Sequence, residues 1–93
     1  MTRISFTKRF KKDYQREQSG RYGKKLKAML AEVIDLLSHD KPFPRRYFDH
    51  PLLGEWADHR DCHIKPDLIL IYRNRDNGDI EFVRLGSHSE LGL

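Results

Sequence analysis

The spacing of the apolar residues changes once along this chain, near residue 40, and this change limits the folds that the chain can adopt. Before it, apolar side chains recur every three or four residues, as in amphipathic helices. After it, they alternate with polar residues or run continuously, as in the strands of a sheet. A length of 93 residues suits one domain, so we expect a single domain over residues 1–93.

A short strand and a first helix are predicted at the start of the chain. Ile4 and Phe6 alternate with polar residues, which is typical of a strand. Thr7 is a suitable N-cap for the helix that follows, because its hydroxyl can accept a hydrogen bond from an unpaired backbone N–H. Phe6, Phe10 and Tyr14 lie four residues apart, so they form one stripe of a helix that ends near residue 17.

A second and longer helix is the most regular pattern in the sequence. The break at Ser19-Gly20 separates it from the first helix, and we predict that it spans about Arg21–Ser38. Six apolar residues keep the helical period over this stretch: Tyr22, Leu26, Met29, Leu30, Val33 and Leu37. Pro42 and Pro44 cannot continue a helix, so residues 41–53 are expected to be irregular.

Three strands are predicted in the second part of the chain, at residues 55–64, 67–73 and 79–85. The middle one is a nearly continuous apolar run, which is typical of a central strand. Asn77-Gly78 is a strong hairpin signal before the last strand. The element order β-α-α-β-β-β predicts an α+β fold in which both helices pack on one face of a mostly antiparallel, twisted sheet.

Alternation along residues 55–64 predicts which side chains share a face. One face carries Trp56, Asp58, Arg60, Cys62 and Ile64, and the other carries Ala57, His59, Asp61 and His63. We expect Trp56, Tyr72 and Phe82 in the core, and Cys62 as a small buried residue that is not a nucleophile. A single cysteine cannot form an internal disulfide, which fits a cytoplasmic protein.

Histidines and aspartates near the strand ends form the candidate site. Asp61 and His63 are two residues apart on one predicted strand, so they point to the same side. His50 precedes that strand, Asp67 opens the next strand across a short turn, and His88 follows the last strand. We therefore expect three imidazoles and two carboxylates to converge at one end of the sheet, on the face that the helices leave open.

This set of residues suits the cleavage of RNA by transesterification. The reaction needs a base that takes the proton of a ribose 2′-OH and an acid that protonates the departing 5′ oxygen. Histidine can fill both roles because its ordinary pKa lies near neutrality. Arg60 and Arg84 are candidates for binding the phosphate, since a guanidinium group can pair with phosphate through two hydrogen bonds.

Two other interpretations of the same residues stay open. Histidine and aspartate are good metal ligands, so a metal-dependent hydrolase is one alternative, although the chain has neither an HExxH nor a CxxC motif. The other alternative is that Asp61 and His63 form an exposed pair without chemistry, in a module that only binds RNA or a protein.

Basic charge is concentrated in the first half of the chain. Residues 1–46 contain 13 Lys and Arg against 5 Asp and Glu, a net charge of +8. Residues 47–93 contain 5 Lys and Arg against 9 Asp and Glu, a net charge of −4. A basic surface attracts polyanions such as RNA or an acidic protein. No apolar run approaches the roughly 20 residues that span a bilayer, so we expect no membrane contact.

The second half of the chain resembles a known family. The string DHPLLGEW at residues 49–56 is followed by RDCHIKPDLILIYR at residues 60–73. The pattern DHPLxGxW…RDxHxxPDxILIY…RxGxH, which reaches to His88, resembles the YafQ branch of the RelE-type toxins of bacterial type II toxin–antitoxin systems. The two N-terminal helices match the layout of that family, so the resemblance covers nearly the whole chain.

The resemblance implies a RelE-like fold and an endonuclease that cuts messages in the ribosomal A site without a metal or another cofactor. It also implies a cognate antitoxin that neutralises the toxin, and contact with operator DNA only through the complex of the two. The catalytic positions of the family fall here on His50, Asp61, His63, Asp67 and His88. His88 is implied as the proton donor and Arg84 as a phosphate contact. The base is His50 or His63, supported by Asp67.

One position departs from the family pattern. Relatives often carry Phe near the C-terminus after His-x-x-Leu, whereas here Gly92 follows His88-Ser89-Glu90-Leu91. If that Phe stacks on a base, this chain lacks the contact, and we expect its codon preference and cleavage rate to depend on that difference. The main alternative is then a catalytically weak module of the same fold that binds RNA or the antitoxin.

Overall fold

The structure, a computed structural model, describes residues 2–93; the predicted domain over residues 1–93 includes Met1, which lies outside the described residues. The strands are β1 (Ile4–Phe6), β2 (His50–Pro51), β3 (Arg60–Lys65), β4 (Leu68–Asn74) and β5 (Ile80–Gly86). The α-helices are α1 (Lys8–Gln18), α2 (Lys25–Ser38) and α3 (His88–Leu91), and short 3-10 helices occupy Arg45–Tyr47 and Gly54–Trp56.

The five described strands form one sheet in the order β1-β5-β4-β3-β2. β1 runs parallel to β5, and every other neighbouring pair is antiparallel. β4 lies in the middle, and residues 68–72 of this strand are all buried, as a continuous apolar run predicts. The α+β architecture with a mostly antiparallel sheet is therefore confirmed.

The two long helices and one face of the sheet enclose the main core. Thr7 is the N-cap of α1, as predicted, and its hydroxyl accepts a hydrogen bond from the backbone N–H of Phe10 at 3.0 Å. The core contains Phe10, Leu26, Leu30, Val33, Leu37, Cys62, Leu68, Leu70, Tyr72, Phe82 and Leu85. Tyr72, Phe82 and Cys62 are thus buried as predicted. Burial raises the pKa of the Cys62 thiol, so this residue stays protonated and inert.

Several predicted boundaries shift by a few residues. α2 begins at Lys25, not near Arg21, because Gly23 has a φ of 48° and this left-handed conformation interrupts the helix. α1 continues to Gln18, and β4 and β5 begin and end one residue later than predicted. None of the α-helices within residues 2–93 is long and apolar enough to cross a membrane.

β3 is shorter than the strand predicted over residues 55–64, because it begins only at Arg60. The backbone before it turns, with φ values of 69° at Gly54 and 71° at Asp58. Left-handed backbone breaks the alternation of side chains on which the prediction rested. The expectation that Trp56 shares a face with the buried residues of β3 is therefore wrong, and Trp56 packs half-buried in a different cluster.

That second, smaller apolar cluster contains Ile69, Ile71, Leu91, Leu52, Trp56 and Val83. Leu91 belongs to α3, which begins at His88, where the sequence predicted only an exit from the sheet. Ser87 and Glu90 form a capping box, in which each side chain accepts a hydrogen bond from the backbone of the other residue. The capping box and the buried Leu91 together place His88 at the first position of a short helix.

Residues 41–53 are largely irregular, as predicted, but two short elements interrupt them. One is the 3-10 helix at Arg45–Tyr47. The other is the edge strand β2, in which His50 pairs with Asp61 of β3. This pairing decides where His50 lies relative to the rest of the predicted site.

Candidate active site

The five predicted histidines and aspartates come together at one end of the sheet, beside β2. The ring centre of His63 lies 6.1 Å from that of His50 and 5.3 Å from that of His88. Asp61 lies between His50 and His63. Asp67 contacts His88. The convergence expected from the strand ends is present, and we call these five residues the imidazole cluster.

The backbone next to β2 fixes the orientation of His50. Nδ1 of its ring lies 2.7 Å from the backbone oxygen of Phe48 and 3.0 Å from Oδ1 of Asp61. A carbonyl oxygen can only accept a hydrogen bond, so Nδ1 carries the hydrogen and donates it to Phe48. Nε2 of the neutral ring then keeps its lone pair. Because 43% of the side chain is exposed, His50 can meet a substrate.

Asp61 is buried without a matching hydrogen bond. Only 4% of its side chain is exposed, and within residues 2–93 its Oδ1 has no hydrogen-bond partner. Burial raises the pKa of Asp61, although the positive charges that His50 and His63 can carry act in the opposite direction. The carboxylate is therefore stabilised whenever a positive charge develops beside it.

His63 occupies the centre of the imidazole cluster. Its side chain is 21% exposed, and its Nε2 lies 3.9 Å from Oδ1 of Asp61. Burial lowers the pKa of His63, and the charges that His88 and His50 can carry act in the same direction, whereas Asp61 opposes them. His63 is therefore neutral at pH 7.

The turn between β3 and β4 holds the third imidazole through Asp67. The carboxylate of Asp67 accepts two hydrogen bonds from His88, one from the backbone N–H at 3.0 Å and one from Nδ1–H of the ring at 2.8 Å. These hydrogen bonds lower the pKa of Asp67, which is therefore ionised at neutral pH. An ionised carboxylate can only accept hydrogen bonds, so Nδ1 of His88 is the donor. Nε2 is then the ring atom that can exchange a proton with a substrate.

Both arginines that the sequence selected for phosphate binding are paired with carboxylates. Arg84 donates to Asp13 of α1, through Nε at 2.7 Å and Nη2 at 3.3 Å, and only 11% of its side chain is exposed. Arg60 donates to Asp49, through Nη2 at 2.9 Å and Nε at 3.3 Å. A phosphate would have to compete with these carboxylates. Phosphate binding by Arg60 and Arg84 stays a prediction.

Asp49 anchors the segment that carries His50, a role that the sequence did not reveal. The hydroxyl of Tyr72 donates a hydrogen bond to Asp49, beside the pair with Arg60. Burial and the charge of Asp49 raise the pKa of Tyr72, so its hydroxyl remains a donor. Arg60 and Tyr72 are opposite each other on β3 and β4, so Asp49 ties the chain before β2 to the sheet.

The imidazole cluster also offers ligands for a metal ion. Ligand atoms of His50, Asp61 and His63 lie within 4.8 Å of one another. Two imidazole nitrogens and a carboxylate oxygen suit zinc or copper. The unpaired, buried Oδ1 of Asp61 is the kind of atom that a cation would satisfy. The donor set therefore fits a transition-metal ion as well as acid–base chemistry.

Known proteins resemble this chain over nearly its whole length. The family model described as a bacterial toxin of type II toxin–antitoxin systems, YafQ, matches residues 2–92. The mRNA interferase toxin YafQ of Escherichia coli strain K12 is 38% identical over 85 residues, which cover 81% of this chain and 91% of the relative.

Two solved structures have the same fold. In the DinJ–YafQ complex of Escherichia coli, the matching chain is 32% identical with a TM-score of 0.78, and the match covers 98% of each chain. A metal-bound toxin from Helicobacter pylori is 37% identical with a TM-score of 0.81, and the match covers 98% of this chain and 99% of that chain. The fold that the family resemblance implies is therefore confirmed.

Proposed function

The chain belongs to the YafQ family of toxins of bacterial type II toxin–antitoxin systems, and from this premise we propose that it cuts messenger RNA in the ribosomal A site. Relatives are named mRNA interferase toxins, so its activity is that of an endoribonuclease. One observation carries the finer proposal. His50 and His88 each donate Nδ1–H to an acceptor within the protein, which leaves Nε2 of both rings available to a substrate.

The proposed reaction is a transesterification at one phosphodiester of the message. A base takes the proton of the ribose 2′-OH, and the 2′ oxygen attacks the neighbouring phosphorus. The bond between phosphorus and the 5′ oxygen breaks, and an acid donates a proton to that oxygen. The products are a 2′,3′-cyclic phosphate and a free 5′-OH, so one proton is taken up and one is released by the protein.

His50 is the base in this proposal. Its Nδ1–H is directed to the backbone of Phe48, so Nε2 of the neutral ring is an acceptor. Once the ring has taken the proton, its positive charge lies 3.0 Å from the buried carboxylate of Asp61. That charge pair is stabilised more strongly than it would be in water. A larger loss of cleavage rate in His63→Gln than in His50→Gln would instead assign the base to His63.

His88 is the acid. Asp67 accepts its Nδ1–H, which orients the ring and leaves the Nε2–H of the protonated form free to reach a leaving oxygen. A 5′ alkoxide is a poor leaving group. Protonation of this oxygen in the transition state lets it leave as a neutral hydroxyl. The rings of both proton-transfer groups are close to that of His63, at 6.1 Å for His50 and 5.3 Å for His88.

Dependence on the ribosome follows from how the arginines are used. Arg60 and Arg84, the two predicted phosphate ligands, are paired with carboxylates, so we expect the site to bind free RNA weakly. The ribosome would supply the missing positioning by presenting the message in a fixed geometry. Because translated messages are the proposed substrate, we place the activity in the cytoplasm.

The experiment compares one message in two states, naked and under translation. We expect clear cleavage of the translated message and weak or absent cleavage of the naked one. Primer extension maps the cut, and end labelling identifies the cyclic phosphate and the 5′-OH. Equal rates on the two substrates would overturn the ribosome dependence. Normal A-site binding with no cleavage would instead favour the catalytically weak binding module.

An acidic antitoxin is the proposed protein partner, since a related toxin was solved with DinJ as a toxin–antitoxin complex. The first 46 residues carry a net charge of +8, so long-range attraction should accelerate association. Contact with operator DNA is proposed only through the complex. Stopped-flow measurements should show an association rate that falls as salt rises, and a flat dependence would exclude the basic half as the docking surface.

A metal-dependent hydrolase is the second candidate, because three ligand atoms lie within 4.8 Å and a related toxin was solved with bound metal. A chelator selective for zinc and copper, which spares the Mg²⁺ of the ribosome, separates the candidates. Cleavage that persists in the chelator supports acid–base chemistry. Cleavage that is lost, and restored by added zinc or copper, supports the metal-dependent reaction.

A further inference from the structure

Phe48 is the most exposed aromatic residue among residues 2–93, with 70% of its surface accessible. Phe6 is 41% exposed, but its ring stacks on Phe10 at 5.4 Å and meets the edge of Phe82 at 5.6 Å, so it belongs to the border of the core. A single exposed apolar residue is common and needs no explanation by itself. The backbone and the neighbours of Phe48 are what set it apart.

The backbone holds Phe48 in an unfavourable conformation. Its φ and ψ are 51° and 39°, in the left-handed region that large side chains avoid. Within residues 2–93 the other non-glycine residues with positive φ are Asp40 and Asp58, and aspartate tolerates this region better. Phe48 lies between buried Tyr47 and Asp49, whose carboxylate accepts a hydrogen bond from the hydroxyl of Tyr72. A strained backbone beneath an exposed ring points to a use for that ring.

The ring of Phe48 lies directly beside the reacting groups. Its centre is 5.8 Å from that of His63 and 6.3 Å from that of His50. A depression of about 530 Å³ is lined by Phe48, His63 and Lys65. Another of about 800 Å³ is lined by Phe48, His50 and Arg45. Both basic side chains are exposed, so each depression combines the ring of Phe48 with one imidazole and an exposed positive charge.

We propose that Phe48 is a stacking platform for one nucleobase of the message, next to the phosphodiester that is cleaved; the inference rests on the function proposed above. Every base has a flat face that stacks on an aromatic ring, and the charges of Lys65 and Arg45 suit the phosphates on either side. A ring held by a fixed backbone loses little freedom on binding. Stacking there would hold the adjacent ribose with its 2′-OH toward His50.

The expected effect is large enough to measure. Removal of an aromatic ring that stacks on a base weakens binding by roughly 5- to 150-fold. Phe48→Ala should lower the cleavage rate on translated message by that factor, at protein concentrations below saturation. Phe48→Tyr and Phe48→Trp keep a flat ring and should stay within about threefold of wild type. Phe48→Leu keeps apolar volume without the ring and should fall with Phe48→Ala.

A stability measurement separates stacking from a fold defect. Phe48→Gly removes the strain of the left-handed backbone, so its melting temperature should equal or exceed that of wild type while its cleavage rate falls as in Phe48→Ala. Leu53→Ala is the matched control, because Leu53 is 88% exposed on a neighbouring loop and should change neither quantity. A destabilised Phe48→Gly with normal cleavage would contradict the proposal.

The decisive experiment locates the base. Ribosomes are programmed with a non-cleavable 2′-O-methyl message that carries an abasic nucleotide at one position flanking the cleavage site. At the stacking position, the abasic nucleotide should weaken the binding of wild type and leave the binding of Phe48→Ala unchanged. Equal weakening of both proteins at every position would overturn the platform.

The same design separates this proposal from the proposed function. If wild type binds the 2′-O-methyl message but cuts no RNA in either state, the endonuclease mechanism fails, and the abasic scan still decides the role of Phe48. If wild type cuts translated message and Phe48→Ala cuts it within about twofold of wild type, Phe48 is not a platform although the mechanism stands.

Discussion

Asp13 and Asp61 are buried to nearly the same extent, with 4% and 3% of the residue surface exposed, but they differ in their partners. Asp13 lies on α1, where the helix packs against β5. Asp61 lies on β3, in the imidazole cluster. The pKa of Asp13 is lowered and that of Asp61 is raised. Because their burial is alike, the opposite directions must come from the groups around each carboxylate.

Asp13 is surrounded by donors. Nε of Arg84 lies at 2.7 Å, Nη1 of Arg16 at 3.0 Å and the backbone nitrogen of Leu85 at 3.0 Å. Burial alone would raise the pKa of Asp13, but the hydrogen bonds from Arg84 and Leu85 and the charges of both arginines outweigh it. A guanidinium is always charged, so this compensation is permanent and holds α1 on β5.

Asp61 has imidazoles in place of guanidinium groups. His50 and His63 carry a positive charge only when they are protonated, and Oδ1 of Asp61 has no hydrogen-bond partner within residues 2–93. A positive charge that compensates the Asp61 carboxylate is therefore present only when one of these imidazoles is protonated. A permanent counter-charge suits an anchor of the fold, whereas a titratable one suits a site at which protons move.

α3 connects the two regions. Glu90 pairs with Arg16 at 3.1 Å, on the side of Asp13, while His88 pairs with Asp67 on the side of the imidazole cluster. Mutations in this helix should therefore separate chemistry from stability.

The largest effect is expected for the proposed acid. His88→Ala should lower the single-turnover cleavage rate on programmed ribosomes by about 10²- to 10⁴-fold, because loss of general acid catalysis costs that much. His88→Gln keeps a hydrogen-bond donor but no transferable proton, so it should be nearly as inactive. Growth arrest on expression should disappear in both variants.

Stability and binding provide the controls for His88. The residue is half-exposed and outside both apolar clusters, so the urea midpoint, A-site binding and antitoxin binding should match wild type. If His88→Ala binds normally and cuts within a factor of a few of wild type, His88 is not the acid. The assignment carried over from the family would then be wrong at this position.

The two buried aspartates should respond to the same substitution in opposite ways. Asp13→Asn leaves Arg84 without its counter-charge and should destabilise the protein by about 3–5 kcal/mol in urea unfolding. Asp61→Asn removes a charge that has no permanent partner, so its stability should stay within about 1 kcal/mol of wild type. Its cleavage rate should nevertheless fall. Equal losses of stability in the two variants would contradict the conclusion that only Asp13 has a permanent counter-charge.

The pH dependence of stability should also have opposite signs. The folded pKa of Asp13 lies below the unfolded value of about 3.9, so its stabilisation is present above pH 4 and is lost as pH falls through the folded pKa. The folded pKa of Asp61 is raised, so its contribution is present below pH 4 and is lost as pH rises through the folded pKa.

Unfolding free energies between pH 3 and 7 test both signs. The advantage of wild type over Asp13→Asn should shrink as the pH falls below about 4. As the pH rises above about 4, the free energy of unfolding of wild type should fall relative to that of Asp61→Asn. If the free energy of unfolding of all three proteins changes with pH in the same way, the surroundings of Asp13 and Asp61 do not shift the two pKa values in opposite directions.

The smallest effect is expected for Arg16. Its side chain is 41% exposed, and solvent screens its pairs with Asp13 and Glu90. Arg16→Ala should therefore cost about 1 kcal/mol or less, because Asp13 keeps its hydrogen bonds from Arg84 and Leu85 and the pair with Glu90 is exposed. Arg84→Ala, in which the lost partner is nearly buried, is the comparison variant and should cost several times more. Similar losses of stability in the two variants would indicate that burial does not decide how much each ion pair with Asp13 contributes.

Local patterns in the sequence were sufficient for most of the elements. The helical period predicted all of α2 but placed its start about one turn too early, and the apolar run predicted β4 within one residue. Alternation placed Asp61 and His63 on one side, because side chains of a strand repeat every two residues whatever the strand pairs with. The strand ends then brought Asp67 and His88 to the same edge.

Other features have no local signal. The strand predicted over residues 55–64 failed in its first half because left-handed backbone at Gly54 and Asp58 interrupts the alternation. The left-handed conformation of Phe48 has no signal in the sequence either, because a large apolar residue ordinarily avoids this region.

The sequence by itself determined the class of fold, the family and the set of residues from which a site could be built, because each depends on residue type and short-range spacing. Only the tertiary structure decided what the charged groups do. Arg84 meets Asp13 across 71 positions of the chain, and Arg60 meets Asp49 across 11. Charge pairing depends on distance in space, which spacing along the chain does not specify, so the packing of α1 on the sheet decided the first pair and the pairing of β2 with β3 decided the second.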